Sequence, residues 1–354
     1  MSVLIGLFLH ATGGLCAGSF YAPLRQVRHW SWESSWLVMG FGAWIAAPVA
    51  VALATVPGLW TVLATTAPET LVKTALLGAL WGVGGLTFGL ALRHLGLGLG
   101  YAVTLGFCAV FGTLIPPLAE GRLFAILRTP SGLLVAVGLV VCLAGIALSG
   151  IAGIRREREI QTQPVSGEAG GFAPRKGYAI ALCSGLLSAC MAFALGAGQP
   201  IGNRALELAA GTPEEGRVAL FRNNAVLCVV LFGGFCSNAL WCVWLNIRNR
   251  SGSDYLRGSG TQVRNYVCSL AGGAVWYGQF FFYGMGTTRL GERYEFSSWT
   301  LHMAFIIVFS TLWSLVLKEW RNVSAGTMRC VYAGVLVLVL STVIVGAGNY
   351  LSAR

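Results

Sequence analysis

Charge is what this sequence has least of. Of 354 residues, 10% are Asp, Glu, Lys or Arg, against roughly 25% in an average soluble domain. Acids are the scarcer sign: 13 stand against 24 Lys and Arg, leaving a net charge of +11. Hydrophobic residues make up 56% and the mean hydropathy is +0.71. This is too apolar for a surface that faces water, and it excludes a soluble enzyme, a disordered chain and a disulfide-rich secreted module. The ten cysteines form no CxxC pair and lack zinc-site spacings, so no metal site is expected. Lying in apolar runs, they read as small buried side chains. No Walker phosphate-binding motif occurs, which argues against direct ATP coupling, and no cofactor is expected. The basic residues fall between apolar runs without interleaved aromatics, so nucleic acid is not the expected partner. An all-α polytopic membrane protein, in contact with the lipid bilayer, remains.

Long apolar runs are abundant. A bilayer core of about 30 Å needs about 20 apolar residues per helix. Runs near 3–22, 35–56, 72–92, 97–119, 131–154, 177–199, 219–246, 263–287, 297–318 and 327–350 predict ten helices. The first run has no basic stretch before it and no small-residue cleavage site, so it is expected to remain as a helix. Residues 200–218, with Arg204, Glu207, Glu214, Glu215 and Arg217, are amphipathic and suit the membrane surface. The one long polar interruption, 155–176, divides the chain into residues 1–154 and 177–354, five spans in each. The loops between spans one and two, three and four, five and six, seven and eight, and nine and ten, counted with the flanking span ends that carry Arg264, Lys318 and Arg329, hold 15 of the 24 Lys and Arg. The positive-inside rule puts these loops, the 155–176 linker among them, in the cytoplasm and both termini outside.

The halves resemble one another. A shift of 195 positions carries Gly78, Ala79 and Trp81 onto Gly273, Ala274 and Trp276, and Gly89 onto Gly284. At a shift of 199, Glu120 and Arg122 match Glu319 and Arg321, and the first and sixth spans share Gly14-Leu15 and Gly185-Leu186. Five spans per repeat is odd, so the repeats are expected to face opposite ways across the membrane. Such inverted repeats mark secondary transporters, with the substrate held near the midplane.

Phe20-Tyr21-Ala22-Pro23, Trp30-Ser31-Trp32-Glu33, Trp81-Gly82-Val83-Gly84, the run Trp276–Tyr283, Ser298–Met303 and Lys318-Glu319-Trp320 together resemble the L-rhamnose–proton symporter family. That family lies within the drug/metabolite transporter superfamily. The resemblance implies ten helices in two inverted five-helix repeats, a central cavity, and uptake of a small sugar with protons across the bacterial inner membrane. It also implies polar Asn residues in spans three and six, where this chain has Gly85, Thr87 and Gly196. The alternative within the same fold is an exporter of another small metabolite, since fold alone sets neither direction nor substrate.

A carrier of a neutral sugar needs hydrogen-bonding partners for hydroxyls and a titratable group tied to binding. Trp276, Gln279 and Tyr283 stand at i, i+3 and i+7, on one helical face. Gln offers donors and an acceptor, and aromatic faces pack on the C–H face of a sugar. These three, with Trp81 and Trp299, are the candidate substrate wall; the competing reading is aromatic filling between helices. Glu295, Trp299 and His302 share a face of the ninth span. His302 and Glu295, with His10 on the first span, are the candidate proton carriers, because intramembrane ionisable groups are costly and often functional. The competing readings are hydrogen-bonded neutral imidazoles and, for Glu295, an interfacial anchor paired with Arg289 or Arg293. Glu33, beside Trp30 and Trp32, is either an interfacial helix start or a cytoplasmic gate.

Overall fold

A computed structural model describes residues 2–95, 97–160, 174–256, 260–290 and 295–352, and among them there is no strand. Ten long helices, numbered in chain order, dominate: α1 Ser2–Ser19, α2 Trp32–Thr55, α3 Pro68–Leu95, α4 Leu97–Ala119, α5 Pro130–Ile160, α6 Pro174–Ala197, α7 Asn223–Asn249, α8 Gly260–Leu290, α9 Glu295–Val316 and α10 Ala325–Ser352. Helices are what a lipid-embedded chain must form, because they satisfy every backbone N–H and C=O within the segment. Nine segments among the described residues are long and apolar enough to cross a membrane. The exception is α8, which carries Gln262, Arg264, Asn265, Gln279 and Arg289 along its 31 residues. Near its start Gln262, Arg264 and Asn265 bond to the backbone of residues 26–28 and 254, while Gln279 lines the central cavity.

Two boundaries differ from expectation. The charged run Arg155–Glu159 is not loop but the last turns of α5. There the Glu159 carboxylate accepts bonds from the Ser324 N–H at 2.6 Å and the Thr327 hydroxyl at 2.7 Å. Arg156 lies over the Trp320 ring at 5.5 Å and donates to the Glu319 carbonyl. Residues 161–173 of the expected linker lie outside the described residues. The amphipathic stretch forms two short helices, Gln199–Ala209 and Glu215–Phe221, and the first buries Ile201, Gly202, Ala205 and Ala209.

Packing follows the rule for helices in lipid, where small residues admit close backbone approach. A Cβ at Gly78 of α3 would run into the Val230 carbonyl of α7, and one at Gly273 of α8 into the Met39 carbonyl of α2. Gly14 of α1 lies against Phe305 of α9, and Gly185 of α6 against Phe107 of α4. The helix pairings come in matched sets: α1 packs on α8 and α9 as α6 packs on α3 and α4, α2 packs on α8 as α7 packs on α3, and α5 packs on α10.

Within α2, residues Gly42–Ala46 form a π-helical turn. Pro48 follows directly; its ring clashes with the carbonyl four residues earlier and it has no N–H to give. The wider turn absorbs that misfit. It also carries Trp44, which points to the centre of the molecule. At the N-terminal end of α2, two buried carboxylates tie it to the end of α7. Asp254 Oδ2 sits 2.9 Å from the Ser31 N–H and from the Ser31 and Ser34 hydroxyls. Glu33 Oε1 accepts from Asn249 Nδ2 at 2.9 Å and the Ser251 hydroxyl at 2.8 Å.

Candidate functional site: a central aromatic cavity

A cavity of about 890 Å³ lies between the helices, within the range of small-molecule sites. Its outer end is marked by the ion pair of Arg25 and Glu319, N to O 2.7 Å, on partly exposed side chains. Its inner end is marked by Gln279, Trp299 and His302, all buried. Of the twelve tryptophans, Trp32, Trp36, Trp44, Trp81, Trp241, Trp276, Trp299 and Trp313 line it. That density decides its chemistry: the walls offer flat faces for C–H surfaces, with few competing charges.

The centre is a packed aromatic group. Trp44 stands edge-on to Trp81 at 6.0 Å and to Trp276 at 5.5 Å, while Trp81 and Trp276 lie 5.8 Å apart. These last two, alike in sequence, thus meet across the molecule from α3 and α8, their ring planes tilted by 40°. Gln279 is 4% exposed and makes no hydrogen bond among the described residues. Its amide therefore reaches the cavity with its bonding capacity free. Trp299 is used differently. Its indole N–H donates to the Cys108 carbonyl at 3.1 Å, and its ring fills the space left by Gly112. It offers a ring face to the cavity and clamps α9 to α4. On α3, Gly85 and Gly89 line the cavity with nothing within 4 Å of where a Cβ would stand.

Of the residues expected from the sequence, Trp81, Trp276, Gln279, Trp299 and His302 come together on this cavity. Tyr283 does not line it; the ring lies one layer deeper, 5% exposed. It borders a separate void of about 10 Å³ with Leu195, Asn223, Leu227, Phe280 and Gly284. His10 is also outside the cavity lining, fully buried against Tyr283 at 5.2 Å between ring centres. Glu33 is held in the polar tie of α2 to α7, away from the cavity lining. Glu295 opens α9, and its side chain lies outside the described residues. Phe280 belongs to the buried core and also lines the cavity, 5.3 Å from Trp276.

Sequence reasoning missed Trp36, Trp44, Ser188 and Asn238, which also line the cavity. Asn238 of α7 accepts from the Trp36 indole N–H at 3.3 Å and donates to the Gly234 carbonyl at 3.0 Å. It orients Trp36. Asn residues recurring along an apolar span, Asn223, Asn224, Asn238 and Asn246, were the available signal. Trp44 had none, because only the π-turn aims it inward.

Buried acids and bases are few. Among the described residues, the buried carboxylates are Glu33 and Asp254, and the buried bases are His10 and His302. No group of three or more His, Cys, Asp or Glu able to hold a metal ion occurs among the described residues. A multi-pass helical protein with an aromatic-walled central cavity and two buried imidazoles has the build of a membrane transporter.

The family model described as L-rhamnose-proton symport protein (RhaT) matches residues 1–350. The L-rhamnose-proton symporter of Yersinia pestis (strain Pestoides F) is 32% identical over 350 residues, covering 98% of each chain. That of Klebsiella pneumoniae subsp. pneumoniae is 31% identical over the same length and coverage. The chain belongs to the L-rhamnose-proton symporter family, a family of transporters and not of enzymes.

Proposed function

We propose that this protein carries L-rhamnose into the bacterial cell together with protons, across the inner membrane, by alternating access. The observation that carries the reading is the central cavity, where Trp81 and Trp276 meet and which Gln279 also lines. Tryptophan faces suit the C–H side of a sugar ring, and the Gln279 amide suits its hydroxyls. Trp44 and Trp299 complete the walls. A cavity with so few charges fits a neutral solute.

The matched helix pairings support two five-helix repeats, residues 1–154 and 177–354, in inverted orientation. Exchanging their roles yields the mirror conformation that opens to the other side. The open end of the cavity carries Arg25 and Glu319, on the loops rich in Lys and Arg. With those loops in the cytoplasm and both termini in the periplasm, the conformation described is open inward.

Coupling falls to His302, which lines the cavity, and to His10 behind it. Imidazole is the side chain whose ordinary pKa lies near physiological pH. Each inward proton brings about 2.3 kcal/mol per 100 mV of membrane potential. Glu295 at the start of α9 is a further proton-accepting candidate on the same helix.

The test is uptake of radiolabelled L-rhamnose into cells lacking their own carrier, with external pH recorded. Saturable uptake with sugar-dependent alkalinisation is expected. A well-expressed protein that takes up no L-rhamnose would move the substrate elsewhere.

A further inference from the structure

His10 on α1 and His302 on α9 are fully buried, and all four of their ring nitrogens lack a hydrogen-bond partner among the described residues. Buried polar atoms are rarely left so. The Tyr283 ring touches both, 5.2 Å from His10 and 5.1 Å from His302 between centres, edge-on to each at 70° and 63°. His302 lines the open cavity. Tyr283 borders instead the small void on the far side, whose volume of about 10 Å³ is near the least that admits a water. His10 fits against bare backbone, since a Cβ at Gly286 would come within 2.9 Å of its Nε2.

The surroundings hold no competing charge. The buried titratable groups on helices packed against α1 and α9 are Tyr277 and Tyr283 on α8, Cys108 on α4 and Cys142 on α5; α10 buries none among the described residues. All four are ordinarily neutral near pH 7. The two buried carboxylates, Glu33 and Asp254, are committed to the tie between α2 and α7. Glu295, at the start of α9, has its side chain outside the described residues.

We propose that His302 and His10 carry one transported proton in series, with the Tyr283 ring as the shutter between them. This rests on the proton-coupled reading above. His302, which borders the cavity open in this conformation, exchanges its proton with that side once the side chains covering its ring nitrogens shift. His10 serves the opposite side when the repeats change places. As Tyr283 moves aside, an N–H bond breaks on one imidazole and forms on the other through intervening water. The donor ring becomes neutral and the acceptor cationic, and no electron is transferred. A second proton would face the first across a single ring in a low dielectric, so the pair carries one at a time. The ring of Tyr283 prevents both histidines from being wetted together, which would short-circuit the gradient.

The experiment uses the purified full chain in liposomes, with an internal pH dye, an imposed potential, and L-rhamnose present or absent. Wild type and Tyr283→Phe, which keeps the ring, are expected to pass protons only with sugar. Tyr283→Ala is expected to pass protons without sugar, and adding His10→Gln is expected to abolish that leak. His10→Gln, His302→Gln and the double variant are all expected to lose sugar-driven proton flux to the same extent. A Tyr283→Ala protein that binds sugar poorly and does not leak would make Tyr283 a wall and overturn the shutter. His10→Gln with an unchanged proton-to-sugar ratio would overturn the series, and this arm decides even where Tyr283→Ala does not fold. Failure of the wild type to exchange L-rhamnose would instead overturn the transport reading itself, and the relay with it.

Discussion

Gln279 sits among aromatic rings on the cavity lining, its amide without a protein partner among the described residues and so available to a solute. A neutral hydrogen bond contributes about 1 kcal/mol net, equivalent to about five- to tenfold in affinity. Gln279→Ala is therefore expected to raise the half-saturating L-rhamnose concentration by about that factor, with expression and thermal stability unchanged. A kinetic titration of uptake checks it, and an unaltered KM would remove Gln279 from the sugar. Gln279 was legible in the sequence because it shares a helical face with Trp276. Tyr283 shares that face too, yet lies deeper: the cavity floor crosses α8 between the two residues. Helical spacing identifies a face and says nothing about depth.

At the scale of elements, helix contacts here rest on missing side chains and on a few buried polar ties. Gly78 is pressed to the α7 backbone, whereas Gly85, two turns on, meets open space. Gly78→Leu is expected to cost at least 1–3 kcal/mol by overpacking (~1–3 typical of filled sites), and Gly85→Ala close to nothing. Melting curves in detergent separate them, and equal stabilities would mean that α3 and α7 are not held at backbone distance. The tie between α2 and α7 makes a second prediction. Ser34→Ala removes a hydroxyl from the buried Asp254 carboxylate; a bond to a charged group contributes about 1.5–3 kcal/mol. The variant should melt earlier, and an unchanged melting temperature would show that Ser31 alone suffices. The tryptophan-rich start of α2 was visible in the sequence. Its partner was not, because Asp254 lies 220 residues further along the chain.

At the scale of the molecule, the open end of the cavity and the distribution of basic residues bear on one question, which side it faces. Gly89→Cys, in a background with the native cysteines replaced, would put a thiol on the cavity wall. The inward-open reading expects an impermeant maleimide to label it faster from the cytoplasmic side, in inverted vesicles, than in whole cells. L-rhamnose should slow the reaction. Faster labelling from outside would reverse the orientation.

The sequence by itself determined the class of molecule: runs of about 20 apolar residues with charges confined between them can satisfy their backbones only as membrane-crossing helices. Its similar halves, its Trp81 and Trp276, and its lone histidines were all readable there, because residue type and local spacing are properties of the chain. Only the tertiary structure decided that Trp81 and Trp276 meet, that Trp44 joins them, and that Tyr283 touches both His10 and His302. Those relations join separate helices, and in lipid they depend on how closely glycine-bearing surfaces approach and on where a π-turn redirects one side chain.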